Sequence, residues 1–254
     1  MQIDSARLTA VVTAAGALLA TLSACGPALS GPAPGPAHGA PRAPGQAGRA
    51  PATPPTATAD RTRIPGIGDR LHRRIPADSR QVVAVYGEGR DSADSRVVLY
   101  TRQGPYWRPV GNWRSHNGRD GWTTDHHEGD ERSPVGVFTL TDAGGVLADP
   151  GTRLPYDRAE HAYAPPAGWD EAHQHDFDYV IAIDYNRRKG SPPRDATRPW
   201  GQDKGGGIWL HMDHGSGTSA CVSLSKQGMA FLLRTLDPAR DPVVVMGDAA
   251  TLTA

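Results

Sequence analysis

The stretch Gly205–Leu224, GGGIWLHMDHGSGTSACVSL, decides how the rest of the chain is read. Gly207–Met212 is a short apolar run suited to a strand, with His211 near its end. Gly215-Ser216-Gly217-Thr218-Ser219-Ala220 is a loop of small residues, and Cys221 follows directly. Downstream, Lys226–Leu236 places Met229, Leu232, Leu233 and Leu236 at helical spacing. Ser225 can cap that helix and Pro238 stops it. The order is therefore strand, small-residue loop, cysteine, short strand, helix, and a last strand at Pro242–Met246.

These residue types in this order suit acyl transfer. A thiol attacks an amide carbonyl as thiolate, so Cys221 needs a base, and His211 at the neighbouring strand end can supply one. Small residues let a peptide backbone approach. They also leave N–H groups free for a developing oxyanion, which assigns Gly217, Ser219 and Ala220 to the oxyanion loop. Gly215 and Gly217 are expected to supply positive φ there.

The other histidines carry weaker signals. His211-x-x-His214 invites a zinc reading, but it lacks the glutamate and helical setting of known zinc helices. His214 is expected to be a solvent-facing loop residue that could orient the loop or stand in for His211. No metal and no organic cofactor are expected. His126, His127, His173 and His175 fall in polar loops and are expected on the surface.

Working outward, further strand-like runs are Gln81–Tyr86, Arg96–Arg102, Tyr106–Val110, Val135–Thr141 and Tyr179–Tyr185. The pattern predicts a mostly β domain, an antiparallel sandwich or barrel with one helix after the catalytic loop. Asp142–Asp178 reads as loops with room for a short helix. The chain carries 27 Lys+Arg against 27 Asp+Glu, and this balance argues against nucleic-acid binding.

Residues 8–24 are apolar and small, too short a run for a comfortable membrane span. The run ends in Leu22-Ser23-Ala24-Cys25-Gly26, which resembles the lipobox of bacterial lipoproteins. Residues 1–24 are thus expected to be a signal peptide, with Cys25 lipidated and the protein exported, tethered to the membrane and facing the cell wall. Residues 25–62, rich in Pro, Ala and Gly, read as a spacer with too few large apolar residues to form a core. Residues 63–249 are the expected catalytic domain. The chain has only two cysteines, so lipidation of Cys25 would leave Cys221 as a lone thiol in an exported domain.

The segment Gly205–Leu224 is similar to the catalytic motif of the L,D-transpeptidases, the YkuD-type domain, and to their shorter-loop branch common in actinomycetes. The matching elements are Gly206-Gly207-Ile208-Trp209-Leu210-His211, Thr218-Ser219-Ala220-Cys221-Val222, Leu236-Asp237-Pro238 and Pro242-Val243-Val244-Val245. Upstream, Glu128–Phe138 matches too, so the likeness covers roughly residues 80–247. One departure is Ala220, where the family has glycine. If that position needs positive φ, alanine carries about 1 kcal/mol of strain.

The resemblance implies a YkuD-like β-sandwich and a peptidoglycan L,D-transpeptidase. Cys221 would cut a stem tetrapeptide after its third residue, and an amine of a neighbouring stem would resolve the acyl-enzyme as a 3–3 cross-link. It also implies acylation by carbapenem-type β-lactams and a substrate cleft for which Tyr179 and His214 are candidates, with plain packing an equal reading for Tyr179. Trp209 and Trp200 are candidates for a peptide-binding wall, with plain packing as the alternative. The same site could serve an L,D-carboxypeptidase or a protein-anchoring transferase, and an inactive wall-binding lipoprotein is a further reading.

Overall fold

The computed structural model describes residues 60–254. The expected signal peptide, Cys25 and the expected spacer up to residue 59 lie outside the described residues. In chain order the elements are α1 (Asp69–His72), β1 (Gln81–Gly87), β2 (Asp94–Gln103), β3 (Tyr106–His116), β4 (Trp122–Thr123), β5 (Ser133–Pro134) and β6 (Gly136–Thr139). Then come β7 (Ala143–Gly145), β8 (Tyr156–Arg158), β9 (Val180–Ala182), β10 (Trp209–Met212), β11 (Val222–Leu224), α2 (Lys226–Thr235), β12 (Val243–Asp248) and α3 (Ala249–Thr253).

Ten strands form one sheet in the order β6-β12-β1-β2-β3-β11-β10-β9-β7-β8. Most neighbours are antiparallel, whereas β1–β12, β10–β11 and β7–β8 run parallel. β4 and β5 make a separate two-stranded pair. The main core joins Val83 and Val97 of β1 and β2, and Val244 of β12, to Ile181, Leu210 and Val222 of β9, β10 and β11. Strands from the two halves of the sheet therefore share one core, as the layers of a sandwich do.

β1 explains how the sheet is covered on its outer side. Its sequence QVVAVYG is apolar on both faces. Val83 and Val85 enter the main core, while Val82 and Ala84 enter a second one. That second core is closed by Ile64, Ile67 and Leu71 before the first strand and by Leu252 of α3. A strand buried on both faces loses the polar alternation of a half-exposed one.

α2 forms as its sequence predicts. Ser225 Oγ accepts the Gly228 N–H at 3.2 Å, and Met229, Leu232 and Leu233 are fully buried, as is Leu236 just beyond the helix. Each such side chain contributes about 1.5–3 kcal/mol of burial, so the apolar stripe rather than helix propensity holds α2 on the sheet.

Three expectations change. The run Tyr106–Val110 extends to His116, because polar Arg114 and Ser115 still pair in register with β2, and β11 pairs on the other side. Asp142–Asp178 contains β7, β8 and a 3₁₀ turn at Glu171–His173. β7 is Ala143-Gly144-Gly145 and carries no apolar alternation; a Cβ on Gly144 would meet the Asp157 carbonyl at 2.5 Å, so glycine is what admits the neighbouring chain. The run Tyr179–Tyr185 is paired only over Val180–Ala182.

Candidate active site

β10 and β11 pair in parallel with Leu210 opposite Val222 and His211 opposite Ser223. Leu210 and Val222 are fully buried in the main core. Because side chains alternate along a strand, His211 and Cys221, each one position away, share the opposite face. Both open on one cleft of about 410 Å³, also lined by Phe177, Thr218 and Ser219.

His211 is 3% exposed. Its Nδ1 lies 2.7 Å from the Met212 carbonyl, which can only accept, so Nδ1 carries the proton and Nε2 keeps its lone pair. Burial holds the His211 pKa down to about 4; the Asp176 charge pulls the other way. Burial likewise pushes the Cys221 thiol up to about 11, although the side chain retains partial exposure. The Trp209 backbone N–H donates to Sγ at 3.3 Å and offsets part of that rise.

At neutral pH the site is a neutral thiol beside a neutral imidazole. Those two values put the separated ions on the order of 10 kcal/mol above the neutral pair. A contact ion pair would recover only about 4 kcal/mol at an effective dielectric near 20. On these values the neutral pair is the favoured resting form. Consistent with this, the described residues hold no Cys221–His211 hydrogen bond, and the thiol instead lies 3.6 Å from the Gly207 carbonyl.

The loop before Cys221 is pinned from below. Ser133 Oγ, fully buried, accepts the Gly118 N–H at 2.9 Å and donates toward the carbonyls of Ala220 at 2.7 Å and Cys221 at 3.2 Å. Thr218 Oγ1 donates to the Cys221 carbonyl at 2.7 Å. With the carbonyls engaged, the N–H groups of Ser219, Ala220 and Cys221 make no hydrogen bond among the described residues. They are unpaired backbone donors in the segment that ends at Cys221.

Ala220 does not take positive φ, so the strain expected of alanine is absent. Of the two glycines, Gly215 has φ +83°, but Gly217 does not. Gly217 is required for closeness instead: a Cβ there would meet Arg119 Cα at 2.6 Å.

Other expected residues are placed differently. Tyr179 packs against the main core rather than lining the cleft. The Trp209 ring packs edge-on against Phe177 at 5.3 Å, and only its backbone reaches Cys221. Trp200 is exposed and contacts Tyr185. His214 is not solvent-facing: its side chain is 4% exposed and stacks near His211, with ring centroids 6.2 Å apart. His126 is also buried, against Tyr185, and His173 is half-buried in the cleft wall. Tyr185 lies against His126, and the His173 and His214 rings lie against each other; both contacts join segments distant in sequence, which local polarity does not reveal. His127 and His175 are exposed as expected. Ser133, Asp176 and Phe177 escaped the sequence reading; for Ser133 the only signal was its place inside the matching Glu128–Phe138 segment.

Residues 90–245 match the family model YkuD, described as the L,D-transpeptidase catalytic domain. The chain belongs to this family. YkuD domains are typically cysteine-dependent transpeptidases that act on peptidoglycan peptides. No curated protein sequence matches. Among solved structures, Bd1075 of Bdellovibrio bacteriovorus is 16% identical with a TM-score of 0.36, and the match covers 66% of this chain and 48% of that one. The helical cell shape determining protein Pgp2 from Campylobacter jejuni is 15% identical with a TM-score of 0.38, at the same coverages. This chain thus spans about half the length of either protein, and the family assignment rests on the match over residues 90–245.

Proposed function

We propose that this YkuD domain is a peptidoglycan L,D-transpeptidase that makes 3–3 cross-links through a thioester on Cys221. The observation that carries the reading is the tautomer of His211: Nδ1–H is committed to the Met212 carbonyl, which frees Nε2 as a base on the face it shares with Cys221. Sγ attacks the carbonyl of the third residue of a stem tetrapeptide as Nε2 takes the thiol proton. The free N–H groups of the Ser219–Cys221 loop receive the oxyanion. His211 then returns the proton to the D-alanine nitrogen, the C–N bond breaks, and D-alanine leaves. The side-chain amine of a neighbouring stem attacks the thioester, giving its proton to Nε2. Collapse forms the new amide, and the thiolate regains the proton. The spacer and a lipid on Cys25 would hold the domain on the outer face of the membrane, within reach of the wall, and a carbapenem would acylate Cys221 in place of the stem.

The test is incubation of the full chain with a disaccharide-tetrapeptide, with products weighed by mass spectrometry. Cross-linked dimers with loss of D-alanine, absent in Cys221→Ala, are expected. Tripeptide monomers without dimers would make the protein an L,D-carboxypeptidase, and no product together with no meropenem adduct would exclude the acyl-enzyme.

A further inference from the structure

The cleft that Cys221 lines also holds a group of side chains that the acyl-transfer reading does not use. Asp176 Oδ2 lies 2.8 Å from His173 Nδ1 and 3.1 Å from His214 Nδ1. One donor atom from each of the three residues lies within 4.8 Å of the others. The residues come from two separate segments: His173 and Asp176 from the turn before β9, His214 from the loop after β10. The rings of His173 and His214 lie tilted at 52° to each other with centroids 4.1 Å apart.

His214 is what makes this more than a chance grouping. Its side chain is 4% exposed, yet neither ring nitrogen has a hydrogen-bond partner among the described residues. The Nδ1 contact to Asp176 is close but not aligned as a hydrogen bond. A buried nitrogen without a partner forfeits the hydrogen bonds it made in water. Asp176 is itself buried, and its Oδ2 already pairs with His173.

From this geometry we infer that His173, Asp176 and His214 form a binding site for a divalent cation of the zinc class, opening on the same cleft as Cys221. Two imidazoles and one carboxylate make a donor set suited to zinc, and three protein ligands leave a fourth position toward the cleft. Tetrahedral zinc with bonds of about 2.0–2.1 Å sets its ligand atoms about 3.3 Å apart. The two contacts at Asp176 need to open by only a few tenths of an ångström. His173 can supply that movement, because its side chain is 30% exposed. Asp176 is held in place from behind, its backbone carbonyl accepting the Met212 N–H at 2.9 Å. The site is distinct from the His211-x-x-His214 pair, whose rings lie nearly parallel at 6.2 Å and do not converge. A bound ion would cross-link the Glu171–Asp176 turn to the catalytic loop.

The experiment is titration of the full chain with Zn²⁺ against a chromophoric chelator, read without turnover. One equivalent bound at micromolar affinity or tighter is expected, with affinity lost at least tenfold in Asp176→Asn, His214→Ala and His173→Ala. His173 is the outermost of the three, so its variant tests the site even if a buried variant unfolds. Cys221→Ser and Cys25→Ser should bind as the parent does. X-ray absorption should show two histidine nitrogens near 2.0 Å. Absence of stoichiometric binding, binding unchanged in His173→Ala and Asp176→Asn, or binding lost only when a cysteine is replaced would each overturn the site. Meropenem acylation of the same samples reports on Cys221 separately, so failure of the metal site and failure of the transpeptidase reading are told apart.

Discussion

The Nδ1–H of His211 donates to the carbonyl of Met212, its own neighbour in the chain, at 2.7 Å. A backbone acceptor replaces the carboxylate that orients the histidine in many hydrolases. It fixes the tautomer, while burial, against the pull of the Asp176 charge, keeps the imidazole a weak base. Replacing His211 with Gln keeps a side-chain donor but removes the base, and acylation by meropenem should slow by a factor of about 10²–10⁴. The rate of the unmodified protein should hold its plateau down to mildly acidic pH and fall as pH drops through about 4, where His211 takes up a proton. An acid limb near pH 6.5 would contradict this.

Thiol alkylation checks the other half of the pair. With the Cys221 pKa pushed up to about 11, iodoacetamide should label it slowly at neutral pH and faster at every step upward through pH 10. Mass spectrometry of the labelled peptide gives the rate. A plateau already reached at pH 7 would mean a resting thiolate.

Stability should follow a dome in pH. His211 has a folded pKa near 4 against 6.5 unfolded, so the unfolded chain binds more protons between those values and stability falls as pH drops through that window. The size of this single contribution is on the order of 3 kcal/mol. Cys221 acts on the alkaline side: its unfolded value of 9.0 lies below the folded value, so stability falls as pH rises above about 9. Urea midpoints measured across pH should show both limbs, and His211→Gln should flatten the acid one.

Ser133→Ala tests the pinning of the catalytic loop. It leaves the Gly118 N–H and the Ala220 carbonyl without their buried partner, which costs about 1–3 kcal/mol. Acylation should slow as well, because the oxyanion donors are aligned by the carbonyls that Ser133 holds. A lower melting temperature with an unchanged acylation rate would show the bonds to be structural only.

Two loop positions should respond in opposite ways. Ala220→Gly gives the family's residue, but Ala220 already has an ordinary φ, so acylation should change less than about twofold. Gly217→Ala drives a methyl into Arg119 and Ala93 and should destabilise by about 1–3 kcal/mol. Thermal melts and meropenem rates on both variants decide the matter.

How far the sequence could be read follows from where each signal lives. α2 was legible because its apolar residues repeat at the helical period, and β1 because Gln81–Gly87 is a short, nearly unbroken apolar run rich in valine. His211 and Cys221 were legible because the motif is local, ten residues from end to end. The ligand group around Asp176 was not, since His173 and His214 meet only after β9 and β10 pair. β7 was invisible because its two glycines mark a close backbone approach, which leaves no side-chain pattern. Tyr179 misled because an aromatic residue beside a core strand looks the same in sequence whether it faces ligand or core.

β1 has one neighbour close in sequence and one at the far end of the chain: Val82 lies beside Val243. Until β12 is made, the most apolar strand of the domain has an open edge. No early sub-structure can bury it, because its cover comes from both ends of the domain, Leu71 on one side and Leu252 on the other. Such non-local closure slows folding and makes it a single late event. A chain that lacks β12 would leave β1 with an open edge prone to aggregation, and loss of α3 would strip Leu252 from its outer face.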